Sequence, residues 1–319
     1  MENKNLLKGV LFVAMGSSFY GMLATFVKVA YDQGYTTAEV TASQFVLGII
    51  ILGVINLIMS KKNKNTPAVK PKDKKRLMLA GTSLGFTSLF YYLAVQYINV
   101  SIAIVLLMQT VWLSILVESV LSKKIPSAKK LVAMLLVLAG TVLATNLINQ
   151  EIELNPKGLF WGFLAACSFT TTMFTSNRVA TYLPPYKKSI YMLFGGGIIV
   201  ALFVFFSQLG PYYFSGLMDL YRNFSDDATS IHPLNFEIFF TWGLFLSLFG
   251  TVLPPILLNK GFPNTGLGLG SIVSSIELPV SVTMAFIVLH EQVLAIQWTG
   301  IAIIIFAIVI SNLNFKKNS

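Results

Sequence analysis

The chain of 319 residues is 55% hydrophobic and only 11% charged, against about 25% charged in soluble domains, which excludes a water-soluble globular fold. A net charge of +10 would suggest nucleic acid in a soluble chain, but its distribution here has another explanation. A single Cys167, with His232 and His290 in different segments, excludes an intramolecular disulfide and gives no metal-ligand spacing. No metal, cofactor or nucleic-acid partner is expected.

In chain order the apolar runs predict ten membrane-spanning helices: 8–30, 38–59, 77–97, 100–121, 128–147, 157–180, 188–208, 238–259, 266–289 and 295–313. The N-terminal run lacks a small-residue cleavage pattern and reads as the first span rather than a removable signal. If the N-terminus is cytoplasmic, all 23 basic residues except Lys28, Lys157 and Arg222 fall on the cytoplasmic side. Asp32, Glu39, Glu151, Glu153, Asp219, Asp226, Asp227, Glu237 and Glu291 fall outside. The positive-inside rule thus supports ten spans with both termini cytoplasmic. The basic loop 61–76 reads as a topology anchor, with lipid recognition as the other reading. The outer segment GPYYFSGLMDLYRNF is suited to the headgroup level.

The chain repeats itself. Residues 100–141 can be laid on 267–308 without a gap, and KGVLFVAMGSSFYGML from Lys8 on KGLFWGFLAACSFTTT from Lys157. This divides the chain into a first five-helix repeat, 1–150, and a second, 151–319. An odd number of spans inverts the second repeat, so the basic turn with Lys123 and Lys124 faces the external turn with His290 and Glu291.

Polar residues within such spans should point into the bundle. Helical spacing groups Ser17, Tyr20, Ala24 and Lys28 on the first span, and Ser88, Tyr91, Tyr92 and Gln96 on the third. Thr110, Ser114 and Glu118 share a stripe on the fourth, Ser168, Thr171, Thr175 and Arg178 on the sixth, and Gly270, Ser274, Glu277 and Ser281 on the ninth. Glu277 stands out. It is about ten residues from either end of its span, where a carboxylate costs roughly 2.5–3.5 kcal/mol, and Pro279 follows to loosen the backbone. The expected cavity residues are Glu277, Glu118, Lys28, Tyr20, Gln109, Tyr92, Trp112 and Ser274, with Tyr91 a further lining residue. For single Ser, Thr and Gly residues the competing reading is helix packing. Lys28 could instead snorkel to the surface, and Glu118 could reach Lys123 or water. Arg178 and Lys260 read as anchors, and Glu291 as a capping or topological residue. Pro254 and Pro255 in series should kink or break the eighth span, making it a candidate gate.

Two motifs are set aside. GTSLG at 81–85 matches a hydrolase elbow, but Ser83 lies within a span with no preceding strand. GLGLG at 266–270 has no βαβ unit around it.

Two five-helix halves, each closing with a helix pair around a tight turn, resemble the drug/metabolite transporter superfamily and its EamA-type repeats. The strongest match is IELPVSVTMAFIVLHEQVLAIQWTGIAIIIFAIVIS, where Glu277, Glu291 and Gly300 sit at the pattern's positions. Leu278 and His290 depart from it, as do Lys124 and Gln44 in the first half. The resemblance implies an all-α protein of two inverted repeats around a central cavity. It further implies a secondary transporter, an exporter of small metabolites in a bacterial inner membrane. The mixture of carboxylates and aromatics suits amino-acid-like zwitterions or organic cations better than phosphates. No Walker sequence is present; a proton is the candidate coupling ion. The partners expected are the solute and membrane lipid, with the chain a monomer or homodimer. A flippase for a lipid-linked group is the alternative. A membrane-embedded transferase would need an acid cluster, for which Asp226–Asp227 is the adjacent pair.

Overall fold

The computed structural model describes residues 2–63, 67–95, 97–98, 100–149, 155–222 and 232–312. Gln96 and the Asp226–Asp227 pair lie outside the described residues. The long elements among these residues are all helical. They are α1 (Glu2–Asp32), α2 (Thr37–Lys62), α3 (Pro71–Val95), α4 (Val100–Leu107), α5 (Thr110–Ser122), α6 (Ala128–Ala144) and α7 (Pro156–Arg178). Then follow α8 (Pro185–Val204), α9 (Gly210–Tyr213), α10 (Ser215–Arg222), α11 (Gly243–Ser247), α12 (Leu253–Thr265), α13 (Leu267–Ser274), α14 (Glu277–Val288) and α15 (Ala295–Asn312). Two π-helical turns, Phe205–Leu209 and Leu248–Val252, join α8 to α9 and α11 to α12.

Eight of these helical stretches are long and apolar enough to cross a membrane. The other two expected spans coincide with α6 and α7. The first has 17 residues, and the second spends its length on buried Thr170, Thr172, Thr175, Ser176 and Asn177. Helix ends also differ from expectation. The basic loop shrinks because α2 runs on to Lys62 and α3 starts at Pro71.

Lipid offers no hydrophobic drive for helix association, so close backbone approach has to supply the contact. Glycines do this where the long helices cross. A side chain on Gly81 of α3 would strike the Met192 backbone of α8, and one on Gly195 would strike the carbonyl of Met78. At the α1–α12 crossing, a Cβ on Gly261 would sit 2.7 Å from the Gly9 carbonyl. At the α6–α15 crossing, a Cβ on Gly140 would sit 2.9 Å from the Gly300 carbonyl.

The repeat seen in the sequence has a backbone counterpart. The register that lays 100–141 on 267–308 carries the break between α4 and α5, at Met108–Gln109, onto the break between α13 and α14, at Ser275–Ile276. It carries Ala128, the start of α6, onto Ala295, the start of α15. It also carries Lys123 onto His290, and both adopt positive φ, 53° and 55°. Neither is glycine, so the left-handed turn is imposed by the helix pair around it.

Candidate functional site

A central cavity of about 680 Å³ runs into the bundle from one end, a size that suits a small metabolite. The expected spans that contribute several residues to it do so from one half of their length. The first gives Tyr20 to Asp32, the second Gln44 and Phe45, and α14 Glu277 to Ala285. The mouth therefore lies at the end holding Lys28, Asp32 and Glu291. Beneath the floor the other end is filled by a core of Val13, Met173, Leu258, Phe262, Leu267 and Val273.

Glu277 is the first residue of α14 and the innermost point at which that helix meets the cavity. The break at Ser275–Ile276 ends α13 just before it. On the other side α1 packs so closely at Gly21 that any side chain there would meet the Glu277 carbonyl. Glu277 Oε2 is buried and has no hydrogen-bond partner. Tyr20 and Tyr91 line the same cavity. A carboxylate that shares a cavity with two phenols is an arrangement for receiving a cation: oxygen acceptors, and ring faces that attract positive charge.

Of the other expected residues, Lys28, Tyr20 and Tyr92 line this cavity. Lys28 is ion-paired with Glu291 across the mouth, with side chains 53% and 42% exposed. Glu291 is thus joined to α1 as well as standing in its turn. Tyr92 packs edge-on against Tyr91 and Tyr31. Pro255 lines the cavity; Pro254 is buried beside it.

Glu118, Gln109, Trp112 and Ser274 lie outside it. Gln109 donates to the Val105 carbonyl at 2.9 Å and accepts from Trp112 Nε1 at 2.8 Å. Glu118 pairs with Lys130 at 2.5 Å rather than with Lys123, at the end of the bundle away from the mouth, against Gly266 and Gly268. Ser274 is buried one turn below Glu277 with its hydroxyl unpartnered, as is Ser17. Thr110 and Ser114 face α7, bonding Thr170 Oγ1 at 2.8 Å and Met173 Sδ at 3.8 Å.

Several lining residues were not singled out from sequence: Gln44, Thr25, Tyr31, Thr87 and Thr251. Tyr31 continues the Tyr20–Ala24–Lys28 spacing and Thr87 lies one turn before Tyr91, so extending those stripes would have found both. Thr25 and Thr251 are isolated polar residues, and Gln44 is the amide within the long apolar run of α2.

A helical bundle with a cavity running in from one end to a buried carboxylate is an architecture that a membrane transporter requires. The EamA-like transporter family model matches residues 7–146 and 156–313, and the chain belongs to that family. No curated protein matches it. A protein of known crystal structure superposes with a TM-score of 0.71 at 14% identity, over 96% of this chain and 98% of that one; at that identity the likeness shows the fold alone.

Proposed function

We propose that the chain is a secondary transporter, built as two inverted five-helix units (1–150 and 151–319) with ten spans. It carries small amphipathic solutes bearing an ammonium group, amino-acid-like zwitterions or organic cations, by alternating access. In this reading it exports them across a bacterial inner membrane, with both termini cytoplasmic and the Lys28–Glu291 mouth outside. The single observation that carries the reading is Glu277: a buried carboxylate oxygen without a partner at the inner end of a cavity of metabolite size. Leaving such a group unpaired costs free energy, which a bound cation or a proton recovers. A carboxyl that takes a proton when the amine leaves, and gives it up when the amine binds, would exchange one for the other.

The test is amine uptake and binding by purified protein in proteoliposomes, wild type beside Glu277→Gln. Losing a charge-assisted contact of about 1.5–3 kcal/mol should weaken binding roughly 10- to 100-fold. It should also abolish amine flux driven by an imposed pH gradient. Wild-type affinity in a folded Glu277→Gln protein would remove Glu277 from the site.

A further inference from the structure

The charges on the cavity wall do not balance. Among the described lining residues they are Lys28, Asp32, Glu277 and Glu291. Glu277 lies at the inner end with an unpartnered oxygen, and the other three stand at the mouth. Lys28 is paired with Glu291. Asp32 is exposed, and its side chain has no hydrogen bond or ion pair among the described residues. It lies one turn beyond Lys28 on α1, so one ammonium stands within reach of two carboxylates. Whichever acid Lys28 takes, the other is left over. The cavity thus carries an unpaired carboxylate at each end.

Between those ends the cavity is a slot. On α1 the lining runs from Tyr20 to Asp32, a rise of about 18 Å. A volume of about 680 Å³ spread over that length gives a mean width of only about 7 Å. The α1 and α14 walls along it are largely aliphatic, with Leu23, Ala24 and Val27 from α1 and Leu278, Val282 and Ala285 from α14. An extended methylene chain with a charge at each end matches this distribution of apolar wall and polar ends.

The helix sets the length of that chain. Gly21 of α1 packs against the Glu277 carbonyl, so Glu277 stands at its level. Asp32 is eleven residues further along α1, about 16 Å up the axis. A charge-assisted contact of about 2.8 Å at each end leaves about 11 Å between the two nitrogens. At about 1.2 Å per bond of extended chain, that is roughly eight atoms between the ammonium groups.

The sign of the far charge follows from the count. A carboxylate there would have to draw Lys28 away and leave both mouth acids unpaired. A second ammonium instead takes the acid that Lys28 leaves, and a cleft with excess negative charge concentrates dications. We infer that the preferred solute is a linear diamine or polyamine of this span, held by Glu277 at the inner end and by the surplus acid of the Lys28–Asp32–Glu291 group at the mouth, rather than an amino-acid-like zwitterion. This rests on the transporter reading of the cavity and narrows it.

The test is calorimetric titration of the full-length protein in detergent, at neutral pH and low salt, with octamethylenediamine, ω-aminooctanol and ω-aminooctanoic acid. These share one chain and one amine, and their far ends are positive, neutral and negative. One ion pair at a solvent-exposed mouth predicts the diamine tighter than the amino alcohol by about two- to fivefold. The amino acid should be weakest, and the gap should shrink as salt is added. Trimethylenediamine, too short to span the slot, should show no such gap over aminopropanol. Asp32→Asn should close the eight-carbon gap, and so should Glu291→Gln, since each leaves a single acid for Lys28. Lys28→Gln, which leaves both acids unpaired, should widen it. Equal binding of the diamine and the amino alcohol by wild type, a gap that survives in Asp32→Asn or Glu291→Gln, an equal gap for the three-carbon pair, or the amino acid as the tightest ligand would overturn the diamine reading. If Glu277→Gln weakens aminooctanol while no gap exists, the mouth site alone is wrong. If aminooctanol is indifferent to Glu277→Gln, or none of the three binds, both readings fall.

Discussion

Among the described residues, one of the largest fully buried side chains is a lysine. Lys188, in the first turn of α8, is 1% exposed and donates from Nζ to the carbonyls of Thr175 at 2.7 Å and Ser176 at 2.9 Å. Those carbonyls belong to the last turn of α7, where helical partners run out and the dipole is negative. Lys188→Met keeps most of the volume but leaves the Ser176 carbonyl unpaired, while that of Thr175 keeps the Val179 N–H. It should cost about 1–3 kcal/mol, read as a lower melting temperature of the detergent-solubilised protein with amine affinity retained; an unchanged melting temperature would deny Lys188 this role. Glu39 has a similar place in the first turn of α2. It closes a capping box with Thr36 and accepts from Asn235 N at 2.5 Å and Gln208 Nε2 at 3.2 Å. Glu39→Ala strands those donors and should destabilise by about 2 kcal/mol. Glu39→Gln, which keeps an acceptor, should cost less by the same melting measurement. Sequence read these two only as an internal base and an external acid. A lysine stem can snorkel or fold inward, and which it does depends on the neighbouring helix end, which periodicity along one segment does not describe.

At the level of helices, the structure has a π turn at Leu248–Val252 leading into α12, and a disturbed hydrogen-bond ladder at Pro254–Pro255 was legible because two N–H groups are missing there. The breaks at Met108–Gln109 and Ser275–Ile276 were not, since neither carries glycine or proline. Side chains compete there for the backbone instead: Gln109 Nε2 takes the Val105 carbonyl at 2.9 Å and Ser275 Oγ the Ile272 carbonyl at 2.6 Å. Ser and Gln do this at many positions where a helix survives, so the pattern identifies a break only once the fold is known. The polar stripes show the same limit. Thr110, Ser114 and Glu118 do share a side of α5, yet that side meets α7 and Lys130 rather than the cavity. A stripe says which residues look the same way, not what they look at. The proline pair also yields a prediction. Replacing both with alanine restores donors to the carbonyls of Gly250 and Thr251 and should let the π turn at Leu248–Val252 relax toward α-helix. We expect a melting temperature a few degrees higher, for a gain of about 1 kcal/mol or more, together with slower amine flux because the cavity wall has been regularised. A double variant that melts lower would show that the π turn is held by its neighbours instead.

For the molecule as a whole, the cavity is open at one end and blocked at the other, and this makes sidedness measurable. Ser281 lines the cavity one turn from Glu277 toward the mouth, while Gly268 is buried under Glu118 at the closed end. With the free Cys167 replaced by serine, Ser281→Cys in intact cells should react with a membrane-impermeant thiosulfonate added outside. Gly268→Cys should react only in inverted vesicles, where its own face is presented to the reagent, or not at all. A saturating amine that occupies the site at Glu277 should slow labelling at 281 by filling the space the reagent must cross. Under alternating access, the same amine present on the inner side alone should change the labelling rate at 281 by shifting the population of the open-mouth form, whereas a fixed pore or a static binding pocket has no population to shift. Reaction at 281 from the inner face only would invert the orientation drawn from the distribution of lysine and arginine, leaving the cavity and its carboxylate where they are.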